Sequence, residues 1–167
     1  MSSRAPKIPV SVLVVIHTVD GRVLLLERAD RPGYWQSVTG SLDTPDEDPA
    51  QAAGREVLEE TGIALAQGEF YCLDIQNRYE IYAHWRHRYA PGVTHNTEHV
   101  FALALSAPCP VQLAPREHLA SAWLHWQEAA AHCFSPSNAE AIEVLAKRWQ
   151  WAPPSSRESG QAQGESL

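Results

Sequence analysis

Little cysteine, no apolar run of membrane-spanning length and a shortage of basic residues close off three classes of protein before any motif is read. The three cysteines, Cys72, Cys109 and Cys133, are odd in number and have no CxxC spacing. Neither a disulfide framework nor a cysteine-based metal site is expected, and reduced buried thiols are the default. No stretch approaches the ~20 apolar residues of a transmembrane helix. The opening MSSRAPKIPVSVLVVIHTVD alternates and leads into fold-like sequence rather than a cleavage site, which predicts a cytoplasmic chain with no membrane partner. Lys and Arg number 13 against 20 Asp and Glu, a net charge of −7. Such a surface does not neutralise a phosphodiester backbone, so no nucleic-acid partner is expected, and a polyphosphate substrate would need a local cation to recruit it. No repeat of solenoid period is present.

What remains is the composition of one globular domain, 167 residues with 44% hydrophobic and 20% charged, enough for a core without staples. The β-branched run PVSVLVVIHTV, the Asp20-Gly21 pair and RVLLLER predict a hairpin. A short strand YWQSVTG follows, then a loop holding Asp43, Thr44, Pro45 and Asp46. Asp48 as N-cap, Pro49 at the first position, Gln51 at capping-box spacing and Gly62 as terminator predict a helix over 49–61. Strands are expected near 69–75, 79–88, 98–105 and 119–124. A final helix is expected to open with Ser137-x-x-Glu140 and to pack Ile142, Leu145 and Trp149 on the sheet. The domain is expected to end at 152, with 153–167, polar and rich in Gly and Ser, as a disordered tail.

The chemistry lies in GSLDTPDEDPAQAAGREVLEETGI. Residues three and four apart share a helix face, so Glu56 and Glu60 stack with Glu59 beside them, exposed on the helix surface. Their mutual repulsion is relieved by a hard divalent cation; magnesium binds through one or two carboxylates plus substrate phosphates, and manganese is the alternative. Arg55, four residues before Glu59, can pair with it. An isolated EVLEE would be a solvated helix face. Here the glycine, Glu47, the arginine and the C-cap all belong to one strand-loop-helix pattern.

That pattern resembles the Nudix family: Arg55, Glu56, Val57, Glu59, Glu60, Gly62 and Ile63 match R-E-U-x-E-E-x-G-U, where U is bulky and apolar. Glu47 keeps the family's spacing to the arginine, whereas Gly40 lies one residue too far upstream, an insertion the loop can absorb. Over roughly residues 7–150 the chain further resembles the branch of bacterial dihydroneopterin triphosphate diphosphatases, on KIPVSVLVVI, YWQSVTGS, HRYAPGVTHNTE, EHLASAWL and SPSNAEAIE. The resemblance implies an α/β fold, the Nudix α/β/α sandwich with a mixed β-sheet. It also implies magnesium-dependent cleavage of dihydroneopterin triphosphate to the monophosphate and pyrophosphate, in folate biosynthesis. Carried over by position, Glu56, Glu60 and Glu117 are the expected metal ligands, with Glu59 and Arg55 completing the catalytic set. Lys7, Arg28, Thr39, Tyr79, Glu80, Ile81, Tyr82 and Ser135 match substrate-contacting positions. The expected partner is a small-molecule polyphosphate, met by a monomer.

Other readings stay open. A different Nudix activity would act on a nucleoside triphosphate, a dinucleoside polyphosphate or capped RNA, which the box alone does not separate. A non-catalytic nucleotide-binding module would have lost box carboxylates, and here all are present. Arg86, His87 and Arg88, interleaved with Trp85 and Tyr89, read as outward positions of a strand, and His84, His95, His99 and His118 have no zinc spacing. Trp35 and Trp123 are read as core before pterin stackers.

Overall fold

The computed structural model describes residues 5–153; the expected tail lies outside them but for its first residue. Strands β1 (Val10–Thr18) and β2 (Arg22–Arg28) form the expected hairpin, and the short strand before the box is split into β3 (Trp35–Gln36) and β4 (Val38–Ser41). Helix α1 (Pro49–Thr61) follows, then β5 (Glu69–Glu80), β6 (His95–Leu105) and β7 (His118–His125), and finally α2 (Trp126–His132) and α3 (Pro136–Trp149). The sheet has seven strands in the order β3-β2-β1-β6-β5, with β4 paired to β1 and β7 to β2. It is mixed, because β1 runs parallel to β6 and antiparallel to β2 and β4.

The period of two in β1 sorts its buried side chains onto two faces. Val12, Val14 and Ile16 join Leu24, Leu26 and the α1 residues Ala52, Ala53 and Val57 in one core. Leu13 and Val15 join Val23, Leu25 and the α3 residues Ala141, Ile142 and Leu145 in the other. A helix on each side of a mixed sheet is the sandwich expected. Burial of a side chain such as Leu145, fully buried, contributes about 1.5–3 kcal/mol.

Distant segments tie α3 down. Asn138 accepts from the Ser37 N–H at 2.8 Å and donates to the Ser37 hydroxyl at 2.9 Å. The Trp149 indole donates to the Tyr71 hydroxyl at 2.8 Å, and the Trp151 indole to the Val19 carbonyl at 3.0 Å.

The fold corrects the sequence pattern in three places. Residues 79–88 are not one strand: β5 ends at Glu80, and Ala83–Arg88 form a 3-10 turn. The turn is held by Arg86, which donates to the Ile81 carbonyl and pairs with Glu80; alternation of aromatic and polar residues imitated a strand. The cap of α3 is Ser135, two residues before the expected Ser137, because Pro136 suits the first helical position and the Ser135 hydroxyl accepts from the Asn138 N–H. Helix α2 is too short for an apolar stripe to announce it. No helix among the described residues is long and apolar enough to cross a membrane.

Candidate active site

Helix α1 starts and stops as its sequence predicts. The Asp48 carboxylate accepts from the Ala50 N–H at 2.9 Å, and Gly62 ends the helix at φ 74°, where a Cβ would be strained. Among the described residues, Gln51 does not complete the capping box by reaching back to Asp48.

Arg55 is the hub of the loop before the helix. It lies 3.0 Å from Glu47, 3.0 Å from Asp43 and 2.8 Å from Glu56, but 3.8 Å from Glu59. The side chain it orients is therefore Glu56, and the expected pairing with Glu59 is the loosest of its contacts. Burial works against the Arg55 charge, but hydrogen bonds to Glu47 and Glu56 outweigh it and raise its pKa. Glu47 also accepts from the Asp43 N–H at 2.8 Å, so the extra residue of the loop is folded into a closed turn. Gly40 reaches its place regardless. A Cβ built there would lie 2.2 Å from the Glu56 carboxyl carbon, so only glycine lets the strand back against that carboxylate.

The carboxylates are not the exposed row expected from helical spacing. Glu60 is 2% exposed, the Glu56 side chain is 12% exposed and Glu59 is 54% exposed. Glu56 and Glu60 face the sheet under the Gly40 strand, and Glu59 alone faces solvent. Glu117, in the turn before β7, is exposed, yet a carboxylate oxygen of it, one of Glu60 and a ring nitrogen of His118 all lie within 4.8 Å of one another. That turn is fixed by the Ala29 N–H donating to the Glu117 carbonyl at 2.9 Å and by the pairing of Arg28 with His118. The topology thus delivers Glu117 to the box helix from 57 residues away in the chain.

His118 is the residue the spacing argument passed over. Its Nε2 lies 3.3 Å from Glu60 Oε1, both side chains being buried. Burial, then the Arg28 charge, pushes its pKa down to about 4, so at neutral pH it sits beside the carboxylate as an uncharged ring. Only a contact across the fold identifies it.

Burial first, then the charges of Glu56 and Glu117, raises the Glu60 pKa well above the carboxylate range. Burial also raises Glu56, against the pull of Arg55. Glu60 Oε2 is buried with no hydrogen-bond partner. An orphaned oxygen among crowded carboxylates is the environment a hard divalent cation completes; the ligand atoms gathered there are those of Glu60, Glu117 and His118, with Glu56 hydrogen-bonded to Glu60.

Cations flank this centre. Lys7 is exposed; desolvation, then Arg88 and Arg28, lowers its pKa while Glu56 and Glu117 oppose the shift. Arg28 donates to Asp30 at 2.7 and 2.8 Å and to Gln36 at 3.1 Å, and stacks 4.5 Å over the Trp85 ring. Arg88 joins Asp30 at 2.9 Å. Of the remaining expected contacts, Thr39 donates to the Val12 carbonyl, Tyr79 accepts from Asn96 and Ser135 caps α3. Glu80 pairs with Arg86, Ile81 is 4% exposed and Tyr82 is 46% exposed. Tyr82 packs with Trp85 and Phe134, their ring centres 5.6 to 6.4 Å apart. A hollow of about 720 Å³ lined by Trp126, Lys147 and Trp151, among others, shares no residue with this centre.

The family model for the NUDIX domain matches residues 7–145. The chain belongs to the Nudix family. This Nudix chain is 49% identical over 146 residues to the dihydroneopterin triphosphate diphosphatase of Escherichia coli, covering 86% of this chain and 95% of that protein. The Haemophilus influenzae protein of the same name is 40% identical over 136 residues, covering 80% and 84%. The solved structure of the E. coli dihydroneopterin triphosphate pyrophosphohydrolase superposes with a TM-score of 0.80 at 46% identity, covering 87% of the Nudix chain and 99% of the other.

Proposed function

We propose that this Nudix chain hydrolyses dihydroneopterin triphosphate to dihydroneopterin monophosphate and pyrophosphate, with magnesium as cofactor and manganese as its substitute. The observation that carries the reading is similarity along almost the whole length of a relative with that name, 49% identical over 95% of it. The site supports it: the carboxylates converge where cations stand ready for a triphosphate.

Glu56, Glu60 and Glu117 would hold magnesium, which when bound supplies a Lewis acid for the phosphoryl oxygens and the charge they develop. Arg55 keeps the Glu56 carboxylate aimed inward, and the uncharged His118 ring packs against Glu60. Glu59, open to solvent, serves as the auxiliary carboxylate. Lys7 and Arg28 meet the anionic oxygens of the triphosphate, where a positioned cation stabilises charge as it builds on the leaving pyrophosphate. Thr39, Ser135 and the stretch Tyr79, Glu80, Ile81 and Tyr82 line the approach for the rest of the substrate. In that stretch Tyr79 and Tyr82 offer exposed side chains, whereas Ile81 is buried and its N–H is taken by the Thr94 carbonyl. All these groups come from one chain, so the reading asks for no more than a monomer.

The test is turnover by the purified protein with magnesium, pyrophosphate and orthophosphate being measured separately. Dihydroneopterin triphosphate, nucleoside triphosphates, a dinucleoside tetraphosphate and capped RNA are compared at equal concentration. One pyrophosphate per pterin triphosphate, at the highest kcat/KM of the panel, is expected. Orthophosphate as the product, or a tenfold preference for a nucleotide, would overturn the reading.

A further inference from the structure

The side of the sheet under α3 is apolar along most of its length and then changes character. Going toward the N-terminal end of β1, Leu13 and Val15 give way to Ser11. Along β6, Val100 and Ala102 give way to Glu98 and Asn96, and along β5, Ile75 gives way to Asn77 and Tyr79. The registers place these residues together: Asn77 opposes Glu98, Tyr79 opposes Asn96, and Ser11 lies beside Glu98. The first turn of α3 stands over them, with a Ser137 hydrogen bond reaching Glu98.

This polar floor is incompletely satisfied. Glu98 is 4% exposed and Asn96 is 1% exposed. Glu98 accepts from Asn77 at 3.2 Å, and no ion pair among the described residues includes it. Asn96 donates to the Ser11 hydroxyl at 2.7 Å and to the Tyr79 hydroxyl at 3.0 Å, which uses its amide nitrogen and leaves Oδ1 buried without a partner. Buried acceptors without donors are costly and uncommon. A carboxylate with spare lone pairs beside an unpaired amide oxygen needs N–H donors, and a group rich in them would offset that cost.

The floor adjoins the metal-fitting centre. Gly40, against Glu56, opposes Val12, and the next pair along the same ladder is Ser11 with Ser41. One residue along β4 therefore leads from the carboxylates of α1 to the face where Glu98 lies. Tyr89 hydrogen-bonds Ser41 and bridges to Lys7, which links the floor to the cations. Tyr79, opposite Asn96 on the outermost strand, is exposed, so the floor meets solvent at that edge.

We propose that Glu98 and Asn96 read the substrate's heterocycle. Glu98 accepts from the ring N–H and the amino group that lie side by side on a 2-amino-4-oxopyrimidine edge, and Asn96 Oδ1 accepts the remaining amino hydrogen. The inference rests on the pterin reading above and gives it a recognition element. Guanine carries the same edge; adenine presents an acceptor where the ring N–H stands and would leave Glu98 facing a lone pair. Selectivity of this kind is large because the wrong ring strands buried polar groups.

The experiment uses neopterin, which has the edge but no phosphate, and follows the quenching of its fluorescence by the full chain and by Glu98→Gln and Asn96→Ser. Melting curves verify that the variants are folded. Glu98→Gln is expected to weaken neopterin binding about 100-fold, on the scale of polar groups left unpaired. The ratio of kcat/KM for dihydroneopterin triphosphate over ATP should fall by a similar factor, carried by KM. Asn96→Ser is expected to show about a tenfold loss and serves alone if Glu98→Gln does not fold. Unchanged neopterin affinity in the folded variants, or no neopterin binding by the wild type, overturns the inference. A wild type that binds neopterin yet releases no pyrophosphate from the triphosphate leaves this inference standing and overturns the proposed function.

Discussion

The two faces of the sheet are built on opposite plans. On the α1 side, a single run of sequence supplies Gly40, Glu47, Arg55, Glu56 and Glu60, and helical spacing assembles the last three. On the α3 side, Ser11, Asn77, Tyr79, Asn96, Glu98 and Ser137 come from three strands and a helix, and meet through strand register and the docking of α3. Cleaving a phosphoanhydride requires the same charges whatever the rest of the substrate, and a compact motif carries most of them, with Glu117, Lys7 and Arg28 added from outside it. Recognition of one ring requires a shaped polar surface, which a fold composes from distant pieces. The general part of the chemistry is concentrated in one run of the chain and completed from outside it, whereas the selective part has no such run.

The difference can be sharpened by experiment, starting with the largest effect. Removing divalent cations with EDTA should lower turnover by at least about 1,000-fold for every substrate alike, since the α1 side serves them all; full activity in excess chelator would remove the cation from the account. Glu60→Gln and Glu117→Gln should each lower kcat about 100- to 1,000-fold, the scale of a lost electrostatic contribution, with smaller changes in KM. Glu128→Gln, on exposed α2, is the control, and wild-type rates in both site variants would empty the proposed ligand set. Arg55→Lys should cost about tenfold, because an ammonium does not span Glu47, Asp43 and Glu56 as a planar guanidinium does; an unchanged kcat would reduce Arg55 to a surface contact.

The smallest effect concerns pH. Burial raises the Glu98 pKa in the folded chain. A carboxyl with a raised folded pKa contributes stability below its unfolded pKa, and this is lost as pH rises through the folded value. Wild type should therefore lose melting temperature relative to Glu98→Gln as pH rises above the ordinary carboxylate range. Magnesium should raise both melting temperatures by relieving the α1 carboxylates and leave that difference in place. A pH-independent difference would show that Glu98 titrates normally.

Legibility in the sequence divides along the same line. The bounds of α1, its Asp48 and Gly62 caps and the hairpin of β1 and β2 follow from local rules, and the structure has them where expected. Sequence spacing placed Glu56 and Glu60 on one face but on the surface, because periodicity states which residues align and not what packs over them; the close approach of Gly40 is what buries Glu56. The 3-10 turn at 83–88 has the sequence pattern of a strand, because alternation alone does not distinguish them. His118 and Glu98 have no local signature, and their partners lie 58 and 21 residues away in the chain.

The anchoring of α3 bears on the order in which the molecule is made. Asn138 clasps Ser37 across 101 residues, and Trp151 reaches back to Val19 across 132. As the chain leaves the ribosome, the carboxylates of α1 are already made, whereas the lid over Glu98 is nearly the last part synthesised. Contacts that span most of the chain form late and slow its completion. Until α3 docks, a nascent molecule has the groups that cleave phosphates and lacks a finished surface for choosing what carries them.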